Sequence, residues 1–136
     1  MRSFEINTAP LVLLAQQFSQ LLRHDEPGRP NTLSRKVEQI LSASGSSKLP
    51  NAESVARQLN MSPRTLHRRL TAEHTSFQQL KDSFRAGLAR HYLGRRELSI
   101  DAIATLMGFQ DNSAFYRSFR KWTGMSPGEY RRSLAA

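Results

Sequence analysis

The strongest constraint on this chain is that one stretch of it occurs twice. Residues 101–130, DAIATLMGFQDNSAFYRSFRKWTGMSPGEY, place Ala102, Ile103, Leu106 and Met107 at helical spacing. Gly108 then ends the helix, because glycine takes a left-handed conformation at no steric cost. Phe109 is placed to plug the angle of a turn, and Asp111 can cap a second helix whose apolar stripe is Phe115, Phe119 and Trp122. Ala104, four residues before the glycine, leaves room for two helices crossing at the roughly 90–120° of a helix-turn-helix. After Gly124, Ser126-Pro127-Gly128-Glu129 supplies the cap, the first-turn proline and the glutamate of a capping box, which opens a short last helix.

The earlier copy is offset by 48 residues at Val55/Ile103, Ala56/Ala104 and Asn60/Gly108, by 49 at Leu66/Phe115, Arg68/Arg117 and Leu70/Phe119, and by 50 at Ser76/Ser126 and Leu80/Tyr130. Both single-residue insertions fall where a loop absorbs them, which is the mark of a duplicated unit. Asn60 replaces the turn glycine, and asparagine is the next residue to tolerate that conformation. Ser62-Pro63 opens its second helix with a cap and a first-turn proline.

Between the copies, Ser76-Phe77-Gln78-Gln79 reads as another capping box. Phe77, Leu80, Phe84, Leu88 and Tyr92 then run down one face of a helix that Gly94 ends. About 19 residues at 1.5 Å each span about 28 Å, close to the roughly 34 Å between successive major-groove entries on one face of a duplex. Upstream, Leu11, Leu14, Phe18, Leu21 and Leu22 predict an amphipathic helix over 10–24, and DEPGRPN at 25–31 a hinge. A further helix is expected over roughly 34–43, followed by a serine-rich loop over 42–50.

Charge narrows the partners. The chain carries a net charge of +9, and residues 51–136 hold 14 Lys/Arg against 7 Asp/Glu, a net +7. A basic surface concentrated on the repeated region binds phosphates by releasing counterions. With no cysteine, disulfides, thiol nucleophiles and zinc ribbons are excluded. The longest apolar run, Ala9 to Ala15, is far too short for a membrane span, and the first residues lack the layout of a signal peptide, so a cytoplasmic protein is expected. His24, His67, His74 and His91 form no HExxH pair; neither a phosphate-binding glycine loop nor a Gly-x-Ser-x-Gly elbow is present. The expectation is a protein that is not an enzyme and uses no cofactor or metal.

MSPRTLHRRL at 61–70, SFQQL at 76–80, LSIDAIATLMGF at 98–109 and FYRSFRKWTGMSPGEYRR at 115–132 resemble the DNA-binding domain of the AraC/XylS family of bacterial transcription regulators. The resemblance covers about 82 of the 136 residues. It implies an all-α fold in which two helix-turn-helix subdomains, of homeodomain-like AraC type, are joined by a long linker helix and read adjacent major-groove segments of double-stranded promoter DNA, often beside RNA polymerase. On that reading 1–31 is an accessory helix and hinge and 32–136 the bipartite domain, with the first motif at about 51–75, the linker at about 76–94 and the second motif at about 99–132. No effector-binding domain is expected within this chain. The helix at 10–24 is read as the last helix of an effector domain, a dimer contact or a lid, so the protein is expected to be a monomer or a weak dimer. Seven or eight helices are expected in all.

Base reading needs side chains that reach base edges from a helix in the groove. Arg64, Thr65, His67 and Arg68 lie on the exposed face of the first motif, and Arg64, His67 and Arg68 match the family's reading positions. Arginine can bind both acceptors of guanine. The corresponding face of the second motif carries Asn112, Ser113, Tyr116 and Arg117; Asp111 reads as a cap in preference to a cytosine contact. Phosphate contacts are expected at the helix starts Asn51, Ser76, Ser99 and Ser126 and from Arg57, Arg69, Lys81, Arg120, Lys121, Arg131 and Arg132. The function expected is sequence-specific regulation of transcription, with activation among its modes.

Overall fold

A computed structural model describes residues 32–44 and 48–135 of the chain. Among these residues there are seven helices and no strand: α1 (Leu33–Ala43), α2 (Ala52–Gln58), α3 (Pro63–Ala72), α4 (Phe77–Leu93), α5 (Ile100–Leu106), α6 (Asn112–Thr123) and α7 (Pro127–Leu134). The helix expected over 10–24 and its hinge at 25–31 lie outside the described residues.

All seven helices start the same way. Thr32, Asn51, Ser62, Ser76, Ser99, Asp111 and Ser126 each adopt extended backbone and accept a hydrogen bond from the amide three residues on. Each cap thereby satisfies one of the amides that a helix start leaves without an intrahelical partner. The box at Ser126 is complete, Ser126 N donating to Glu129 Oε1 at 2.8 Å and Glu129 N to Ser126 Oγ at 3.1 Å. The box expected at Ser76 is only half made. Gln79 N donates to Ser76 Oγ at 3.1 Å, but the Gln79 side chain turns aside to accept from Thr75 Oγ1 at 3.2 Å.

The duplication holds at the level of backbone hydrogen bonds. In both copies the residue after the left-handed position donates to the alanine four residues before that position, Met61 N to Ala56 O and Phe109 N to Ala104 O, each at 3.0 Å. Asn60 (φ 57°) and Gly108 (φ 85°) take the left-handed turn, and Ala56 and Ala104 are buried beneath it. A second pair is not legible from composition. His74 (φ 63°) stands where the other copy has Gly124 (φ 80°), each closing the recognition-type helix before the next cap. His74 is therefore not on a helix face shared with His67, because α3 ends at Ala72 and the chain has already turned.

One core unites the helices. Leu80, Phe84, Leu88, Ala89, Tyr92 and Leu93 of α4 are buried together with Leu33, Val37 and Leu41 of α1, Val55, Leu66 and Leu70 of the first unit, and Ile103, Phe115 and Phe119 of the second. Helix α4 spans 17 residues. It packs against α1 on one side and against α5, α6 and α7 on the other, while α1 also touches α3.

A polar tie adds to this packing. The Glu73 carboxylate, at the end of α3, accepts from Leu33 N at 3.0 Å, from Ser34 N at 2.9 Å and from the Ser34 hydroxyl. It caps α1 from 40 residues away, at a helix start that has no acidic residue of its own. The Ser34 hydroxyl, then the two amides and Arg69, hold the Glu73 carboxyl below its ordinary value despite some burial.

These local geometries set the stability of the frame. Because the folded-state pKa of Glu73 is lowered, its stabilisation is present above the unfolded value and is lost as pH falls through the folded value. Glu73→Gln should therefore cost ~1–2 kcal/mol at neutral pH and make thermal stability less dependent on pH in the acid limb, as read by melting curves from pH 7 to 3. Gly124→Ala should cost ~1 kcal/mol, since φ there is positive, while His74→Gly should gain up to ~1 kcal/mol, both read by urea denaturation.

Candidate nucleic-acid interface

Helices α3 and α6 occupy equivalent places in the two copies, each the second helix of its unit, with the apolar stripe inward. Leu66 and Leu70 are buried on α3, and Phe115 and Phe119 on α6. Opposite them, at the second, fifth and sixth helical positions, stand Arg64, His67 and Arg68 on α3 and Ser113, Tyr116 and Arg117 on α6. All six are exposed. Neighbours at spacings of three and four share one patch of a helix surface, so each unit presents a compact triad near its helix start. No hydrogen bond or ion pair with another described residue engages the side chain of Arg64, His67, Arg68 or Arg117. In particular, Arg117 makes no ion pair with Asp101 or Asp111.

Two residues expected in these triads are engaged elsewhere. Thr65 is half-buried, with its amide donating to Ser62 Oγ at 3.1 Å and its hydroxyl accepting from Ser62 Oγ at 3.0 Å, so it belongs to the cap of α3. Asn112 is half-buried too, and its side-chain amide donates to the Asp101 carboxylate, tying the start of α6 to the first turn of α5. Asp111 accepts from Ala114 N at 2.7 Å and is the cap that the spacing implies.

Arg57, Arg69, Arg120, Lys121 and Arg132 are exposed, and Lys81 is half-buried. Arg131 departs from this set. Its Nε donates to Leu93 O at 3.0 Å and its Nη2 to Arg95 O at 3.2 Å, so it satisfies carbonyls at the C-terminal end of α4 and pins α7 there. The four helix starts also differ. Glu53, Asp101 and Glu129 place an acid in the first turn of α2, α5 and α7, whereas α4, capped by Ser76, has none. An anion gains from a helix dipole only where no carboxylate already occupies it. The start of α4 is thus electrostatically the best suited of the four.

Arg85 escapes a reading by periodicity, because a basic residue beside an apolar stripe looks like a solvated flank. Its guanidinium carbon lies 4.8 Å from the centre of the Phe109 ring and 5.2 Å from that of Trp122. Phe109 fills the turn as expected, 5.4 Å from the Phe115 ring and 6.2 Å from Trp122. Among the described residues no group of His, Cys, Asp and Glu is arranged to hold a metal, and no helix is long and apolar enough to cross a membrane.

A family model described as a helix-turn-helix domain matches residues 55–133. The ornithine utilization regulator of Pseudomonas aeruginosa is 46% identical over 82 residues, which make up 60% of this chain and 24% of that protein. The HTH-type transcriptional regulator VqsM of the same species is 30% identical over 124 residues, 91% of this chain and 37% of that protein. Among solved structures, a DNA-binding transcriptional dual regulator from Escherichia coli K-12 superposes with a TM-score of 0.71 at 27% identity, covering 82% of this chain and 98% of that one. The chain spans about a quarter of the length of the first of these relatives and well under half of the second.

The different engagement of the neighbouring arginines is testable. Arg131→Met should lower unfolding free energy by ~1–2 kcal/mol by removing its hydrogen bonds to the two carbonyls, whereas Arg132→Met should stay within ~0.5 kcal/mol of the parent, both by urea denaturation.

Proposed function

The chain belongs to the AraC-type family of helix-turn-helix transcription regulators, and from that membership we propose that it reads promoter DNA with α3 and α6 in adjacent major-groove segments. The family consists of transcription regulators and not of enzymes. The observation that carries the proposal is the pair of equivalent exposed triads, Arg64/His67/Arg68 and Ser113/Tyr116/Arg117, placed by a duplicated scaffold and left without partners at their cationic members.

The roles divide by chemistry. Arg64 and Arg68, four residues apart, each have the fork that binds the O6 and N7 acceptors of guanine. His67 adds a shorter donor between them. On α6, Arg117 is the guanine reader, Ser113 serves either base type, and Tyr116, 38% exposed, brings a ring edge to a thymine methyl or a hydroxyl to a phosphate. Thr65 and Asn112 support these triads by holding the helix starts. Phosphates meet Arg57, Arg69, Lys81, Arg120, Lys121 and Arg132 together with the amides at the start of α4. Helix α4 spans about 25 Å at 1.5 Å per residue, which suits two insertions on one face of a duplex.

In the cell the protein acts in the cytoplasm on double-stranded promoter DNA, with RNA polymerase as the neighbouring partner and activation as one mode. Two readers on one chain recognise an asymmetric site, so a monomer suffices, and any weak dimer forms through residues 10–24.

Selection of bound sites from random duplex DNA at near-physiological salt should return two short sequences about one helical turn apart. Arg68→Ala and Arg117→Ala should each weaken binding to the selected site by ~1–3 kcal/mol and relax the preference at one position. Equal loss on every sequence, with only the salt slope altered, would assign these arginines to phosphates; enrichment of no sequence at all would leave a basic module without specificity.

A further inference from the structure

Arg85 reaches from the middle of α4 to three separate parts of the second unit. Its guanidinium lies over Phe109, which fills the turn, and over Trp122 in the last turn of α6, while Nη2 donates to the carbonyl of Met107, the C-terminal cap of α5, at 3.4 Å. Both helices of the unit and the turn between them are therefore held by one planar group. A guanidinium does this well, since it can stack on aromatic faces and donate in its own plane at once. Burial pushes the Arg85 pKa down and Asp82, three residues earlier on α4, opposes it; the side chain stays a cation.

Among the described residues the first unit shows no counterpart of this clamp. Met61 stands where the second copy has Phe109, and this unit is attached instead by the packing of α1 across α3 and α4 and by the Glu73 cap. Helix α6 is thus tied to α4 by a polar clamp that the described residues of the other half do not show.

On the reading that α3 and α6 enter adjacent major-groove segments, we propose that Arg85 is a positioning residue that sets the separation and phase of the two reading helices, and so the number of base pairs required between the two half-sites. One base pair amounts to ~3.4 Å of rise and about 35° of rotation, so a modest swing of α6 on α4 equals a change of register. Arg85 touches the scaffold only. Its substitution should leave each half-site's sequence preference intact while loosening the spacing between them.

The test measures affinity for duplexes carrying the two selected half-sites at the preferred spacing and with one base pair removed, one added or two added. The parent protein should bind ~10-fold or more weakly after a one-pair change, the scale of discrimination that one good base-reading pair provides, and Arg85→Met should lose less than ~3-fold while still preferring the same half-site sequences. Fluorescence of Trp122, the only tryptophan, should change in this variant and report that the clamp is open. Ile40→Ala, which trims the core in α1 away from the clamp, should keep the parent's spacing preference and so separates positioning from loss of stability. If the Met variant does not fold, Arg85→Lys, which keeps the cation but not the planar donor, should show the same loosening in smaller degree. An unchanged spacing penalty in a folded variant with altered Trp122 emission overturns the role of Arg85 alone. A parent protein with no spacing preference on any duplex overturns the bipartite reading and this proposal together.

Discussion

The burial of α4 is the constraint on which the rest depends. A unit of two short helices and a turn has too little apolar surface to close a core, and here neither unit tries to. Leu66 and Leu70 in one, Ile103, Phe115 and Phe119 in the other, reach a common cluster through Leu80, Phe84, Leu88, Ala89, Tyr92 and Leu93 of α4. The linker is thus a wall on which the second unit packs directly and which the first unit reaches through α1, as well as a spacer. Fully burying each large apolar side chain contributes ~1.5–3 kcal/mol, so separating either unit from this wall would remove several such contributions at once.

Apolar packing is tolerant of small slides, and the polar contacts between elements are where this structure becomes specific. Glu73 caps α1, Arg85 sits among Phe109, Trp122 and the Met107 carbonyl, and Arg131 satisfies the carbonyls of Leu93 and Arg95. Each joins elements distant in sequence, and each is charged. Hydrogen bonds to charged groups contribute ~1.5–3 kcal/mol, comparable to a buried leucine but directional. Together they tie α3 to α1 and the second unit to α4.

The two copies share their frame and differ in what they display. Caps, left-handed turn residues and the buried alanines at 56 and 104 coincide, because backbone geometry leaves few alternatives at those points. The displayed triads do not coincide: two arginines and a histidine on α3, a serine, a tyrosine and one arginine on α6. A scaffold held by backbone and core leaves its exposed face free to vary. That freedom is what allows one fold to carry two different exposed surfaces.

Much of this was legible in the residues themselves. Helix starts, the turn at Gly108, the plug at Phe109, the buried stripes and the exposed arginines follow from local rules of capping, glycine conformation and 3.6-residue periodicity, and these rules act over a few residues of contiguous chain. Side chains whose partners lie far along the chain could not be assigned this way. Asn112 ties back to Asp101 on the preceding helix; Arg131 looks like another basic residue in a basic tail; Arg85 looks like a solvated flank. Thr65 is a different case, since the Ser62 hydroxyl that engages it is only three residues away. His74 gives no sign that its backbone is left-handed. The sequence by itself determined the seven described helices, the duplication and the candidate reading faces, because these are settled by neighbours within a turn or two. Only the tertiary structure decided which charges are available to a partner and which hold the frame, because that depends on distances of a few ångströms between residues 22 to 40 positions apart.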